Sequence, residues 1–145
     1  MREGNIENKR RKVVHIMRGI SGSGKSTRAR ELAGHEGVIY STDDWHINDK
    51  GQYNFDPSKN KAYHQLNLED FTRSLQDGLP LLIVDNTNMR KWEYERYVSL
   101  AQENGYEVVI NEMPMISVDE AVKRNIHGTP KENIERQISN WESSK

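Results

Sequence analysis

Apolar residues occur along this chain in two rhythms. Four short runs are nearly continuous: Val13-Val14 with Ile16-Met17, Val38-Ile39-Tyr40, Leu81 to Val84 behind Pro80, and Tyr106 to Ile110. Runs this short and this apolar predict buried strands. Between them the spacing turns helical, with Ala29, Leu32 and Ala33 closing at Gly34. Ala62, Leu66, Leu68, Phe71 and Leu75 recur in the same way before Gly78, behind Asp56-Pro57 as an N-cap followed by proline at the first helical position. A helix from about 90 to 104 carries Tyr94, Tyr97, Val98 and Ala101 and stops at Asn104-Gly105. Two short helices close the chain, each opened by a capping box, Ser117 with Glu120 and Thr129 with Glu132. Their inward faces are Val118, Ala121, Val122 and Ile126, then Ile134, Ile138 and Trp141. Strands alternating with helices predict a three-layer α/β sandwich with right-handed crossovers.

The turn after the first strand carries the chemistry. Gly19 to Thr27 reads Gly-Ile-Ser-Gly-Ser-Gly-Lys-Ser-Thr and fits G-x-x-x-x-G-K-[ST], the phosphate-binding P-loop. Glycines let the chain wrap so that successive N–H groups point inward, and the following helix adds the positive end of its dipole. Lys25 is placed to reach the β- and γ-phosphates, and the Ser26 hydroxyl to hold Mg²⁺. Ser21, Gly22, Ser23 and Thr27 complete the loop as further nucleotide contacts. Lys25 should pack against nothing apolar, so its replacement is expected to leave the fold intact.

Two other strand ends carry acids, where an open α/β sheet places its ligands. Tyr40 runs into Ser41-Thr42-Asp43-Asp44-Trp45, and one of the two acids is a candidate to take a proton from an attacking hydroxyl. The other reading is an Asx-type cap on the next segment. Leu81 to Asp85 is an apolar run ending in an acid, the Walker B pattern, with Asp85 approaching Mg²⁺ directly or through water. Asp85-Asn86-Thr87-Asn88 then forms a polar turn. Residues 46–56 read as a loop, and His64 with Asn67 as a solvated or capping pair. Lys123-Arg124-Asn125-Ile126-His127-Gly128 is a basic junction between the last two helices, a charged surface or a lid over phosphates.

Composition narrows the classes. The 145 residues suit one domain over 12–145 behind a basic, frayed terminus over 1–11, whose weak contact with nucleic acid stays open. Charged residues make up 30% of the chain and the mean hydropathy is −0.94, but the periodic apolar runs mark an ordered domain. A net charge of −1 and a pI near 6.5 argue against coating of duplex nucleic acid by bulk electrostatics and leave a local basic patch open. Zero cysteines exclude disulfides and Cys-ligated zinc and suit the cytoplasm. No apolar run is long enough to cross a bilayer, so no membrane partner is expected, and no secretory signal is visible.

With these motifs on the page, the chain resembles the small P-loop kinases that include the 5′-polynucleotide kinase domain of phages and the kinase-like domain of NEDD4-binding protein 2. The markers are Gly19 to Thr27, Ser41 to Asp44, His64 with Asn67, and Asp85 to Asn88 followed by Trp92-Glu93. Asn104 to Val108 and Arg124 to Gly128 complete them. The resemblance implies a nucleotide-kinase-like P-loop NTPase fold: a four-stranded parallel sheet, the Asp85 strand beside the P-loop strand, and a C-terminal helical lid region. It also implies Asp43 as the general base, Arg124 as a lid cation, and Asp85 with Thr87 framing the acceptor and metal site. Asp44 and His46 are further candidates for the acceptor side. The phage enzymes carry an arginine where this chain has His46, and a second lid arginine where it has Ile126-His127-Gly128.

The expected function is an ATP- and Mg²⁺-dependent kinase acting on an alcohol, with a 5′-hydroxyl end or a hydroxymethylated base in DNA as acceptor. A small-molecule kinase and a nucleotide-binding module without turnover are the alternatives. No Asn-Lys-x-Asp element follows the P-loop to read guanine, which disfavours a GTPase, and the length disfavours a motor ATPase.

Overall fold

The computed structural model describes residues 11–125 and 128–142. Most of the basic N-terminal arm, and Ile126 and His127 of the helix junction, lie outside the described residues. Strands β1 (Val13–Arg18), β2 (Val38–Tyr40), β3 (Leu81–Asp85) and β4 (Glu107–Glu112) alternate with helices α1 (Lys25–Ala33), α2 (Asn60–Gln76) and α3 (Lys91–Glu103). Helices α4 (Val118–Arg124) and α5 (Lys131–Ser139) follow the last strand.

The strands form one four-stranded sheet in the order β2-β3-β1-β4. All neighbours are parallel, with Val13 facing Leu81 on one side and Glu107 on the other. The Asp85 strand therefore lies beside the P-loop strand. The period-2 alternation of a strand divides β1 and β3 between two faces. Val14, Ile16, Leu82 and Val84 pack with Phe71, Leu75, Tyr94, Tyr97 and Ala101 of α2 and α3. Met17 and Ile83 pack with Ala29 and Ala33 of α1 on the opposite face. A third cluster joins Ile20 and Met89 to Ala121 of α4 and Ile134 of α5, which seats the last two helices on the P-loop end of the sheet.

Several local expectations give way to tertiary context. β2 is an edge strand rather than a buried one: Val38 is exposed and only Tyr40 is buried. Asp56 does cap, accepting from the Ser58 N–H, but it caps a 3₁₀ turn (Pro57–Lys59) that precedes α2. Ala62 and Leu66 point outward, and the buried position of the first turns of α2 is Asn67. Ser117 caps α4 by accepting from the Glu120 N–H at 3.1 Å. α5 has no such box, because Pro130 is its N-cap and has no side-chain acceptor; the N–H groups of Asn133 and Ile134 bond to the Pro130 carbonyl instead. α4 ends at Arg124, with Val122 exposed. β4 runs on to Glu112, because Asn111 meets the His15 ring at 3.1 Å and Glu112 pairs with Arg18 across β1.

Candidate active site

The P-loop leaves β1 at a residue that sequence reasoning passed over. Arg18 ends an apolar strand yet is completely buried. Its guanidinium donates to the carbonyls of Asn88 at 2.8 Å, Met89 at 2.9 Å and Glu142, and to the Glu112 carboxylate at 2.8 Å. It also lies against the rings of Tyr94 and Trp141, at 4.7 and 4.2 Å from their centroids. A buried cation is tolerable only when its donors are spent in this way. Here they bind the turn after β3, and Asn88 adds a bond from its Nδ2 to the Met17 carbonyl at 2.7 Å. Asn88 holds φ at 51°, a left-handed conformation that asparagine tolerates better than most residues. The Gly19 N–H donates to the Thr87 carbonyl at 3.1 Å, so the P-loop and the β3 turn start from one hydrogen-bonded floor.

Within the loop, Gly22 and Gly24 have φ of 85° and 89°, which side chains rarely adopt. A Cβ at Gly22 would stand 2.4 Å from the Ala121 carbonyl oxygen, so α4 rests directly on the loop. The Ser23 hydroxyl is buried without a hydrogen-bond partner. Lys25 is buried too, and its ammonium donates to Asp85 Oδ1 at 2.8 Å while the Ser26 hydroxyl donates to Asp85 Oδ2 at 3.0 Å. The P-loop lysine and serine thus meet the Walker B carboxylate. Replacing Lys25 is still expected to leave the fold intact, but this buried pair means that it should cost stability. Thr27, the third residue of α1, is exposed and accepts from Arg30 at 3.4 Å.

Asp43 and Asp44 lie in a 3₁₀ turn (Thr42–His46) directly after β2. That turn is fixed from two sides, because the Thr42 N–H donates to Asn86 Oδ1 at 2.9 Å and Thr42 Oγ1 meets His64 Nδ1 at 3.1 Å. His64 is therefore tied to the site rather than merely solvated. Desolvation against this wall lowers its pKa, with Asp43 opposing the shift and His46 adding to it. Asn67 is buried between the Tyr97 hydroxyl at 3.1 Å and the Trp45 indole N–H at 3.4 Å.

The two acids diverge. Asp43 faces a cleft of about 570 Å³ and accepts from the Tyr53 hydroxyl at 3.3 Å, whereas Asp44 is exposed and does not line that cleft. Burial and the nearby Asp43 charge push the Tyr53 phenol far up, so it stays protonated as a donor. His46 turns inward, behind the wall rather than onto it. Its Nδ1 accepts from the Asp56 N–H at 3.2 Å, which leaves Nε2 to donate to Asn60 at 3.1 Å, and its ring packs among Tyr53, Phe55 and Tyr63.

The cleft runs from Ser21 at the P-loop tip past Asn86, Thr87 and Asp43 to α5. Arg124 does not line it; its side chain pairs with Glu120 at 2.7 Å on the outer side of α4. Among the described residues, the arginine or lysine on the wall is Arg136 of α5. Beside it, Gln137 accepts from the Ser21 N–H at 2.8 Å and donates to the Ser21 hydroxyl at 3.0 Å. Neither α5 residue belongs to a motif. Arg18 did leave a signal, as a lone charge closing an otherwise apolar strand.

Residues 14–142 match the sequence model of AAA_33, an AAA domain. The chain belongs to this family. Over 136 residues it is 38% identical to NEDD4-binding protein 2 from Homo sapiens, covering 90% of this chain and 8% of that protein. The chain thus spans a small part of this relative's length. A chain of the Pnkp1/Rnl/Hen1 RNA repair complex superposes with a TM-score of 0.71 at 22% identity, over 92% of this chain and 46% of that one. Kti12 from Chaetomium thermophilum, solved with ADP-AlF3, superposes with a TM-score of 0.64 at 14% identity, over 91% and 81% of the two chains. The fold of this AAA_33 domain is P-loop kinase-like. Among the described residues, no helix is long and apolar enough to cross a membrane.

The site fits a nucleotide with its metal. The left-handed glycines and the orphaned Ser23 hydroxyl form a cradle of donors suited to phosphate oxygens. Ser26 and Asp85 present neighbouring oxygens of the kind Mg²⁺ takes.

Proposed function

We propose that this domain is an ATP- and Mg²⁺-dependent kinase that transfers a phosphoryl group to an alcohol on a nucleic-acid-related acceptor. The observation that carries the proposal is the cleft that joins the P-loop tip at Ser21 to the Asp43 carboxylate. ATP would supply the γ-phosphoryl group, with Mg²⁺ held by Ser26 and Asp85. Gly19, Gly22, Ser23, Gly24 and Thr27 hold the phosphates through the loop backbone and helix start. Lys25, now bonded to Asp85, would exchange that partner for phosphate oxygens.

Asp43 takes the proton of the acceptor hydroxyl as the new O–P bond forms and the bond to the departing ADP breaks. The Tyr53 hydroxyl and the Thr42 turn hold the carboxylate in place. Thr87 sits on the floor between base and P-loop, tied to Gly19 through its carbonyl, which leaves its hydroxyl for the acceptor. Asp44 and His46 support the reading only indirectly, Asp44 within the turn and His46 as the packed ring that carries the wall. Arg124 belongs to the lid: α4 rests on Gly22, and release from Glu120 would free its guanidinium for the transferring phosphate.

The test is γ-labelled ATP with 5′-hydroxyl oligonucleotides, hydroxymethylated DNA, nucleosides, nucleotides and sugar alcohols. Label on an oligonucleotide or nucleotide supports the proposal. Label only on a sugar alcohol makes the protein a small-molecule kinase, label only in free phosphate an ATPase, and ATP binding without turnover a binding module.

A further inference from the structure

Helices α2 and α3 both begin at the site end of the sheet, and each gives residues to the cleft: Asn60 and His64 from α2, Glu93 from α3. Helical spacing carries the same faces on into a second depression. Asn60, His64, Leu68 and Thr72 stand four apart on α2, and the last two line a groove of about 350 Å³ with Gln65. On α3, Glu93 is followed three and seven residues later by Arg96 and Leu100, which form the opposite bank of that groove. Cleft and groove therefore lie one helical turn apart along a single seam. From Glu93 to Leu100 the seam is about 10 Å long, at the helical rise of about 1.5 Å per residue.

Trp92 stands where the two spaces meet. It lies four residues before Arg96, on the same side of α3 and one turn closer to the cleft. At 69% it is the most exposed large apolar side chain among the described residues. The other two tryptophans are engaged, Trp45 with Tyr63 and Asn67, Trp141 with Arg18. Arg96 is exposed and has no side-chain partner among the described residues. Lys61, exposed four residues before Gln65, adds a second such cation on the α2 bank. The remaining charges of the groove are committed: Glu69 accepts from Gln65 at 3.1 Å, and Arg73 pairs with Asp70.

This chemistry selects among occupants. An open indole face beside uncommitted cations suits a base and the backbone that carries it. Leu68 and Leu100 are the apolar side chains of the groove, too few to anchor an amphipathic helix of a protein partner. A duplex hides the faces of its bases from Trp92, so the occupant is a single strand. At about 3.4 Å per nucleotide of stacked strand, the seam holds roughly three nucleotides.

We propose that the α2–α3 seam carries the body of a single-stranded nucleic acid whose reacting end lies in the cleft, with a base stacked on Trp92 and the backbone passing Arg96. The inference rests on the cleft as the acceptor chamber, and it makes the acceptor a strand of several nucleotides rather than a mononucleotide.

Two measurements test this. The first is equilibrium binding of 5′-hydroxyl oligothymidylates, of two and of about eight nucleotides, to the ATP-free protein. The wild type should bind the longer strand roughly 10- to 100-fold more tightly, and a blunt duplex of the same length no better than the dinucleotide. Trp92→Ala should lose roughly 10-fold on the longer strand and almost nothing on the dinucleotide, and Trp92→Phe should recover part of that loss. Arg96→Gln should make the slope of log K against log salt shallower by about 0.7, as for one phosphate contact on a single strand. The second is kcat/KM for the two lengths at saturating ATP, where Trp92→Ala should remove the length preference through the acceptor KM. Equal wild-type affinity for both lengths overturns the proposal. So does a longer strand bound as tightly by Trp92→Ala as by the wild type, which would leave the seam to a protein partner. Length-dependent binding that needs Trp92, without turnover, would sink the kinase reading and keep the strand track; turnover without length preference would do the reverse.

Discussion

Asp43 and Asp44 are adjacent in the chain and separate in space, and that separation makes a residue-level prediction. Asp43→Asn keeps the shape of the side chain and its bond to Tyr53 but removes the proton acceptor, so kcat should fall by about 10² to 10⁴. Affinity for Mg²⁺-ATP should change little, because the carboxylate lies in the chamber beyond the P-loop. Asp44→Asn, outside the cleft, should cost far less. If Asp44→Asn is the more damaging, the base is misassigned; if Asp43→Asn mainly weakens Mg²⁺-ATP binding and Mn²⁺ restores it, Asp43 is a metal ligand. Lys25 carries a second prediction. Lys25→Ala should abolish phosphoryl transfer and leave Asp85 buried without its cation, at a cost of roughly 3 kcal/mol in the nucleotide-free protein. Denaturant unfolding measures that cost. Adding Asp85→Asn should return part of the stability while activity stays lost; a single variant as stable as wild type would show that the pair is not structural.

Helices α4 and α5 both sit on the P-loop, but they present different groups to it. α4 brings a backbone carbonyl against Gly22 and turns Arg124 away toward Glu120; α5 brings the Gln137 amide to Ser21. Arg124→Ala should therefore lower kcat by up to about 10³ while Mg²⁺-ATP affinity shifts far less, if α4 swings its guanidinium inward during the reaction. Amide exchange in α4 should slow when ATP is added. Unchanged kcat and unchanged exchange would leave Arg124 a surface residue. The sequence made the P-loop, the strand-end acids and α4 legible because each rests on local rules: fixed spacing, an apolar run ending in an acid, and a serine cap. It could not show α5 as a wall of the site, since nothing local marks Arg136 or Gln137; their role comes from the seating of Ile134 in the third cluster. The inward turn of His46 is equally absent from any local pattern. The resemblance puts His46 where the phage enzymes have an arginine, whereas Asn60, Asp56 and three aromatic rings close around it here.

At the scale of the molecule, the sheet order makes β1 and β3 the two inner strands, and their parallel pairing gathers the P-loop, the Asp43 turn and the Asp85 turn at the C-terminal end of the strands. Two histidines tie this frame to pH. His15 on β1 is half-buried, and burial lowers its pKa, with Arg28 adding to the effect and Glu107 opposing it; His64 is lowered as well. The unfolded chain, with histidines near 6.5, then binds more protons than the native state as pH falls through that value. Their contribution to stability is full above about pH 6.5 and is lost as pH falls toward the depressed native values. The melting temperature should drop between pH 7.5 and 5.5, and His15→Gln and His64→Gln should each shrink the drop. A drop of the same size in both variants would assign it to other groups.

Arg18 has a consequence in time as well as in space. Its partners include the carbonyl of Glu142, 124 residues further along the chain. At typical synthesis rates of about 5–20 residues per second, roughly 6 to 25 s separate the making of the arginine from the making of that partner. Throughout that interval the growing polypeptide has its P-loop in hand but not the last hydrogen bond beneath it. The floor of the nucleotide site is completed only after residue 142 has been made, and its finished form reports that the chain has been read through to that point.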